Sequence, residues 1–102
     1  PVYMAPEQLR GREIDQRVDI FAFGVTMYET LTGKKPFNGD TSRDVLLAQK
    51  NRDSHFAAPR DLNPSIPAAV ESIILQCIEF DADKRYPHIS YLVAGLRKAL
   101  YV

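Results

Sequence analysis

The segment between Arg17 and Gly33 constrains the fold of this 102-residue chain more than any other part of its sequence. Its apolar side chains would cover almost the whole circumference of a helix: Val18, Ile20, Phe21, Phe23, Val25, Met27, Tyr28 and Leu31. A helix that is apolar on every face is a buried helix, and Gly33 is of the residue type that commonly ends one. Because a small isolated domain has few elements with which to surround a helix, the sequence predicts a central helix at 17–33 within a larger body.

Helical signals also occur in four other segments, at residues 7–10, 41–50, 65–78 and 88–100. Asp40 or Thr41 can cap the second of these helices, and Pro67 suits the first turn of the third. The last three segments carry apolar side chains that can form one side of a helix: Val45, Leu46 and Leu47; Val70, Ile73, Ile74, Cys77 and Ile78; and Ile89, Leu92, Val93, Leu96 and Leu100. Residues 51–66 and 81–87 are predicted to be loops. No strand signal competes, so the sequence predicts an all-α fold.

Composition excludes several functional classes. Thirteen basic residues balance thirteen acidic ones, which gives no support to binding of nucleic acid or of a membrane surface. The lone cysteine, Cys77, excludes an internal disulfide and is typical of a reducing compartment. The longest apolar run, near residues 20–28, is shorter than the about 20 residues that a membrane span needs. We therefore expect a cytoplasmic location, and a longer parent protein could still carry a membrane anchor elsewhere.

Three sequence blocks resemble one known family. They are Tyr3-Met4-Ala5-Pro6-Glu7-Gln8, then Val18-Asp19-Ile20-Phe21-Ala22-Phe23-Gly24-Val25 with Tyr28-Glu29-Thr30-Leu31-Thr32-Gly33-Lys34-Lys35-Pro36-Phe37, and Asp81-Ala82-Asp83-Lys84-Arg85-Tyr86-Pro87. In this order and spacing they resemble the Hanks-type Ser/Thr protein kinases, in which Ala-Pro-Glu closes the activation segment. The amino-acid sequence of these blocks is most similar to that of bacterial members of the family. The resemblance implies a helical subdomain of the large lobe (the C-lobe), with a central buried helix and three or four helices around it.

The resemblance also implies that residues 1–102 are a partial protein kinase domain. In the family, the phosphate-binding loop, the ATP-binding lysine and the catalytic and metal-binding aspartates all lie upstream of Ala-Pro-Glu. The parent would transfer the γ-phosphate of ATP, with Mg²⁺, to protein Ser or Thr. Residues 1–102 contain no Gly-rich phosphate loop and no Asp-Phe-Gly. We therefore expect no catalytic, cofactor-binding or metal-binding residue in this segment, and no kinase activity from it alone.

Two structural roles follow from the resemblance. Glu7 and Arg85 occupy the positions of a family ion pair, in which a planar guanidinium can bind a carboxylate through two parallel hydrogen bonds. Asp19 occupies the position of the residue that holds the catalytic-loop backbone, with Gly24 permitting close helix packing beside it. Because that loop is not in this sequence, Asp19 is expected to cap its own helix, to face solvent or to contact a partner, and not to act as a base.

A second group of residues is implied to dock the substrate. Pro1, Val2 and Met4 resemble the loop that receives the substrate residue after the phosphorylated one. Tyr3 and Glu29 match positions where the family often has a tyrosine–glutamate contact, and the glutamate can meet a basic substrate residue. Core packing of Met4 and an ordinary helical role for Glu29 are the alternatives. The expected partners are the rest of the kinase domain and a protein substrate.

A different class of function stays open. The chain could be a free-standing regulatory or protein-binding module that docks partners through residues 41–50 and 34–40. Such a module would be a stable monomer, whereas a segment of a larger lobe would expose apolar surface and self-associate. A third class, a small helix-turn-helix binder, needs a basic face, which the neutral charge balance argues against. The sequence identifies neither the substrate nor whether the parent is active or a pseudokinase.

Overall fold

The computed structural model describes residues 2–101, apart from the side chain of His55. The described chain is helical and contains no strand, so the all-α prediction is confirmed for this part. In chain order the helices are α1 (Pro6–Leu9), α2 (Arg17–Thr32), α3 (Ser42–Lys50), α4 (Arg52–His55), α5 (Pro59–Leu62), α6 (Ala68–Cys77) and α7 (Ile89–Tyr101), with a 3₁₀ turn at Ala82–Lys84 between the last two.

Local chemistry explains where the predicted helices begin and end. The Arg17 N–H at the start of α2 donates to the Asp15 carboxylate at 2.9 Å. The helix stops at Gly33, whose φ of 76° is in the left-handed region and whose N–H donates to the Glu29 carbonyl. Thr41 caps α3 by accepting a hydrogen bond from the Asp44 N–H at 3.1 Å. The predicted start and end of the central helix and the alternative of a Thr41 cap are therefore correct.

Helix α2 forms the centre of the fold and packs mainly against α6. Gly24 makes this close contact possible, because a Cβ atom there would lie 2.5 Å from the Cys77 Cβ and 2.7 Å from Ile78 Cγ2. Helix α7 also packs against α6, while α1 and α4 both contact α3. The two sequence segments with the strongest apolar patterns thus build the middle of the domain.

Four rings form what we call the aromatic row: Phe21, Phe37, Phe56 and Tyr28. Phe37 lies between Phe21 and Phe56, with centroid distances of 6.0 Å to each. The Tyr28 ring is 5.5 Å from Phe56, and its hydroxyl donates to the Ala57 carbonyl at 2.6 Å. The row joins α2 to the loops that follow it, so the segment after Gly33 is held in place by aromatic packing.

One detail of the sequence prediction is wrong. Residues 52–55 and 59–62 form single-turn helices where a continuous loop was expected. In α7 only Leu92 of the predicted apolar stripe is fully buried, while Ile89, Val93 and Leu100 are 49%, 41% and 66% exposed.

The described residues do not surround α2 on every face, as the expectation of a central helix within a larger body allows. One stripe of this helix is not covered by the described residues: Asp19, Thr26 and Thr30 are exposed, and Phe23 and Met27 are only partly buried. We call these five residues the open stripe of α2.

Within the described residues, no helix combines the length and the apolar character that crossing a bilayer requires.

Candidate substrate-docking surface

The loop before α1 displays two large side chains. Tyr3 and Met4 are 39% and 38% exposed. The Tyr3 hydroxyl donates a hydrogen bond to the carboxylate of Glu29 on α2, and the Lys35 ammonium lies 5.8 Å from the centroid of the Tyr3 ring. That hydrogen bond raises the pKa of Tyr3 above its ordinary value, because an ionised tyrosine could not donate and would face a carboxylate. The predicted pair Tyr3 and Glu29 is therefore in contact, at an exposed position.

Of the other predicted docking residues before α1, the structure describes Val2 and Met4. Val2 is half-buried against the apolar core, whereas the exposed Met4 side chain does not pack into it as the alternative interpretation required. Pro1 lies outside the described residues. What these residues bind stays a prediction, since the structure describes their positions and not their ligand.

The structure brings Glu7 and Arg85 together across 78 residues of sequence. The two guanidinium nitrogens Nη1 and Nη2 donate to the two Glu7 carboxylate oxygens at 2.8 and 2.9 Å. The Arg85 side chain is fully buried, and that of Glu7 is 15% exposed. Burial opposes ionisation of Glu7, but the hydrogen bonds and charge of Arg85 outweigh it and lower the pKa of Glu7 below its ordinary value. The pair is thus a charged, forked contact.

Arg85 also collects three backbone carbonyls. Its Nε donates to the Glu79 carbonyl at 2.8 Å, Nη2 to the Phe80 carbonyl at 3.2 Å and Nη1 to the Arg17 carbonyl at 3.3 Å. The guanidinium carbon lies 4.8 Å from the centroid of the Phe21 ring. One side chain therefore connects α1, the first turn of α2 and the segment that follows α6. Lysine could not replace it, because lysine has three donors and no fork.

Asp19 and Gly24 lie on different sides of α2 in the structure. Asp19 is exposed in the first turn of α2, which is the solvent-facing alternative expected for it, and the residue whose carboxylate receives the backbone N–H of Arg17 is Asp15. Gly24 lies on the opposite, buried side against α6. Their assignment as anchors of a catalytic loop stays a prediction.

Two polar features escaped the sequence analysis. The Arg17 guanidinium bridges the Asp15 carboxylate at 2.9 Å and the Asp83 carboxylate at 2.7 Å, and the hydrogen bonds that Arg17 donates to Asp15 lower the pKa of Asp15. An aspartate two residues before a helix start was the available signal. The second feature is Gln49, which is only 2% exposed. Its position in the polar helix α3 gave no signal of burial.

In the described part of the chain, no group of three or more His, Cys, Asp or Glu side chains is arranged to hold a metal ion.

The surface of the protein also contains apolar grooves. One of about 260 Å³ runs between α2, α6 and α7 and is lined by Met27, Leu31, Ile66, Val70, Leu96 and Leu100. It continues the surface of the open stripe, because Met27 belongs to both.

Comparison with known proteins gives consistent matches. The model of the protein kinase domain matches residues 1–94. Tyrosine-protein kinase MasK of Myxococcus xanthus is 44% identical over 86 residues, which are 84% of this chain and 13% of that protein. Serine/threonine-protein kinase Pkn1 of Myxococcus xanthus is 39% identical over 102 residues, 100% of this chain and 14% of that protein. Serine/threonine-protein kinase PrkC of Bacillus subtilis is 35% identical over 97 residues, 95% of this chain and 15% of that protein.

The chain therefore spans between 13% and 15% of the length of these three relatives. The matches confirm the bacterial Ser/Thr kinase resemblance that the three sequence blocks indicated. They also confirm the fold class, a helical subdomain of a kinase C-lobe.

Proposed function

Since this chain belongs to the protein kinase domain family, we propose that its parent protein transfers the γ-phosphoryl group of ATP to Ser or Thr of a protein substrate. ATP and Mg²⁺ would be bound by parts of the parent other than residues 1–102, because phosphoryl transfer needs a phosphate cradle and metal-binding carboxylates that this sequence lacks. The names of Pkn1 and PrkC support Ser/Thr as acceptor. The name of MasK makes tyrosine the competing acceptor.

Within the parent, this chain would supply the scaffold and the surface that docks the substrate. The observation that carries the proposal is the loop of Tyr3 and Met4, exposed at its side chains and held to α2 by the bond to Glu29. The Glu7–Arg85 pair supports it, because it fixes α1, directly after that loop, to α2 and α6. An exposed loop on a rigid base is a common arrangement for binding sites.

The rest of the kinase domain is the partner that we propose for the open stripe of α2. Phe23 and Met27 are only partly buried there, and Met27 also lines an apolar groove. Large apolar patches on a soluble protein usually mark an interaction surface. In the parent this surface would be internal, which is the role of a central helix. The isolated chain would bind no ATP, transfer no phosphate and self-associate through the same stripe.

One observation favours the free-standing module as a second candidate. The Cα radius of gyration is 13.1 Å, close to the about 13 Å expected for a compact domain of 100 residues. Such a module would stay monomeric and dock partners through α3 and residues 34–40. We propose a cytoplasmic location in either case, on the ground that the chain has a single, buried, unpaired cysteine.

Phosphotransfer measured on two polypeptides tests the proposal. The longer polypeptide that contains this chain should label Ser and Thr in a peptide array from radioactive ATP and Mg²⁺, whereas residues 1–102 alone should give no label above the buffer blank. Labelling by residues 1–102, or none by the longer polypeptide, would contradict the proposal. Labelling confined to tyrosine would change the acceptor class.

Sedimentation of residues 1–102 over a concentration series separates the two candidates. An average mass that rises with concentration is expected for a segment whose open stripe carries Phe23 and Met27 and adjoins an apolar groove. A constant monomer mass, with cooperative unfolding, would favour the free-standing module.

A further inference from the structure

Gln49 is a polar side chain in a buried position. It lies near the end of α3 and is 2% exposed. Its Nε2 donates a hydrogen bond of 2.8 Å to the backbone carbonyl of Met4, which is 45 residues away in sequence. A buried amide is costly unless it is hydrogen-bonded, so this bond is the local reason that glutamine can occupy the position.

The second amide atom of Gln49 is not satisfied. Since the Met4 carbonyl accepts only from a donor, the amino group must face it and the orientation of the amide is fixed. The remaining oxygen, Oε1, is then buried and finds no hydrogen-bond partner among the described residues. A buried acceptor without a partner costs about 1–3 kcal/mol. An unbranched apolar side chain of similar length would avoid this cost, but it would leave the Met4 carbonyl without its donor.

Gln49 makes one of three hydrogen bonds to the loop of Tyr3, Met4 and Ala5, which we call the docking loop. The Tyr3 hydroxyl is bonded to Glu29 on α2, the Met4 carbonyl to Gln49 on α3 and the Ala5 N–H to the Gln8 side chain on α1 at 2.9 Å. Three consecutive residues are thus tied to three different helices. The Met4 backbone is held while its side chain stays 38% exposed.

We propose that Gln49 is a positioning residue that sets the preference of the kinase for the substrate residue beside Met4. It acts through the Met4 carbonyl and does not itself touch the substrate. The inference rests on the proposed docking function and adds to it one residue, Gln49, which lies outside the loop itself. Polar groups kept at a stability cost are expected where function requires a fixed geometry.

The variant Gln49→Met, made in the longer polypeptide, tests this role against Gln16→Met. The control also removes a glutamine donor to a backbone carbonyl, since Gln16 Nε2 donates to the Pro87 carbonyl at 3.1 Å, but it lies away from the docking loop. Two peptides that differ only in the residue after the phosphoacceptor, leucine or glutamate, serve as substrates. We expect Gln49→Met to lower kcat/KM for the leucine peptide about tenfold, mainly through KM. The general scale is that a displacement of about 1 Å in a positioning group can cost about 100-fold in rate.

Three readouts together distinguish positioning from a structural role. In Gln49→Met the ratio of the two kcat/KM values should fall and amide hydrogen exchange over residues 2–8 should accelerate. The melting temperature should change little, because removal of the unpaired Oε1 offsets loss of the bond to the Met4 carbonyl. Gln16→Met should leave the ratio and that exchange unchanged. Unchanged exchange over residues 2–8 in Gln49→Met, or an unchanged peptide ratio with active enzyme, would overturn the inference.

The failure of the proposed function has a different signature. Exchange is measured without substrate, so accelerated exchange in Gln49→Met supports the tie between α3 and the docking loop by itself. If the parent with its native sequence then labels no Ser or Thr in the peptide array, the kinase proposal fails, and the specificity role fails with it. A lower melting temperature with an unchanged ratio would mean that Gln49 contributes to stability only, against our inference.

Discussion

Replacing Arg85 with lysine keeps the positive charge and removes the forked donor group. In the structure the guanidinium makes five hydrogen bonds, two to the carboxylate of Glu7 and three to the backbone carbonyls of Arg17, Glu79 and Phe80. A lysine ammonium has three donors, so at least two of these five acceptors must lose their partner. The side chain is fully buried, and water is therefore not available to replace the lost bonds.

The expected loss of stability follows from this count. An unpaired buried acceptor costs about 1–3 kcal/mol, and breaking a buried ion pair by removing one partner costs about 3–5 kcal/mol. We expect Arg85→Lys to lower the free energy of unfolding by about 3 kcal/mol and Arg85→Met, which removes all five donors, by about 5 kcal/mol. Since domains are stable by only about 5–15 kcal/mol, both losses are large fractions of the total.

Urea unfolding of the kinase domain, followed by far-ultraviolet circular dichroism, measures the effect. Arg97→Lys is the matched control, because Arg97 is exposed on α7 and should shift the free energy of unfolding by less than about 0.5 kcal/mol. Combining Arg85→Met with Glu7→Gln should cost less than the sum of the two single changes. If Arg85→Lys lost no more than its control, the view of this residue as a buried five-donor connection would be refuted.

Three further predictions use single groups. The pKa of Glu7 in the folded protein lies below its ordinary value of 4.5, so its stabilising contribution is present above that pH and is lost as pH falls through the folded value; acid titration of Glu7→Gln should lack this component. Gly24→Ala should destabilise by about 1–3 kcal/mol in thermal unfolding because its Cβ has no room, whereas Gly95→Ala, with no neighbour closer than 3.5 Å, should stabilise by about 0.5–1 kcal/mol; the opposite order would contradict the packing argument. Burial raises the pKa of Cys77 to about 12, so its thiol should resist alkylation at neutral pH until urea unfolds the domain, and rapid labelling of the native protein would exclude the buried placement.

The sequence predicted the long helices well and the short ones poorly. Helix α2 was expected at 17–33 and occupies Arg17–Thr32 with Gly33 as its cap, because a long apolar segment with a terminal glycine is a strong local signal. Helices α4 and α5 have four residues each, which is too short for any period to be visible. In α5 the first residue, Pro59, was the only available sign.

The apolar stripe of α7 shows a different limit. Periodicity identifies side chains that share a face, but it does not reveal what covers that face. Only Leu92 on the stripe is fully buried, while Ile89, Val93 and Leu100 are largely exposed. The same reasoning applies to the open stripe of α2. A local pattern can therefore predict an interface without saying whether its partner is in the same chain.

The residues of the candidate site were also predicted only in part. Contact of Glu7 with Arg85 was expected from a family resemblance, and no local pattern could have joined two residues 78 positions apart. Gln49 was not predicted at all, because its burial depends on how α3 meets the loop of Met4 and not on its neighbours in sequence. Side-chain hydrogen bonds to distant backbone carbonyls leave no periodic trace.

The aromatic row makes mutational effects in this domain interdependent. Each ring touches the next. Two of the rings are also covered by a guanidinium group: Arg85 lies over Phe21, and Arg52 lies over Phe56. Shrinking one ring would open a void that only its immediate neighbours could fill, so effects of substitutions along the row should be strongly non-additive. Among homologous sequences the ring sizes should consequently co-vary, with a smaller residue at one position compensated by a bulkier one at the next.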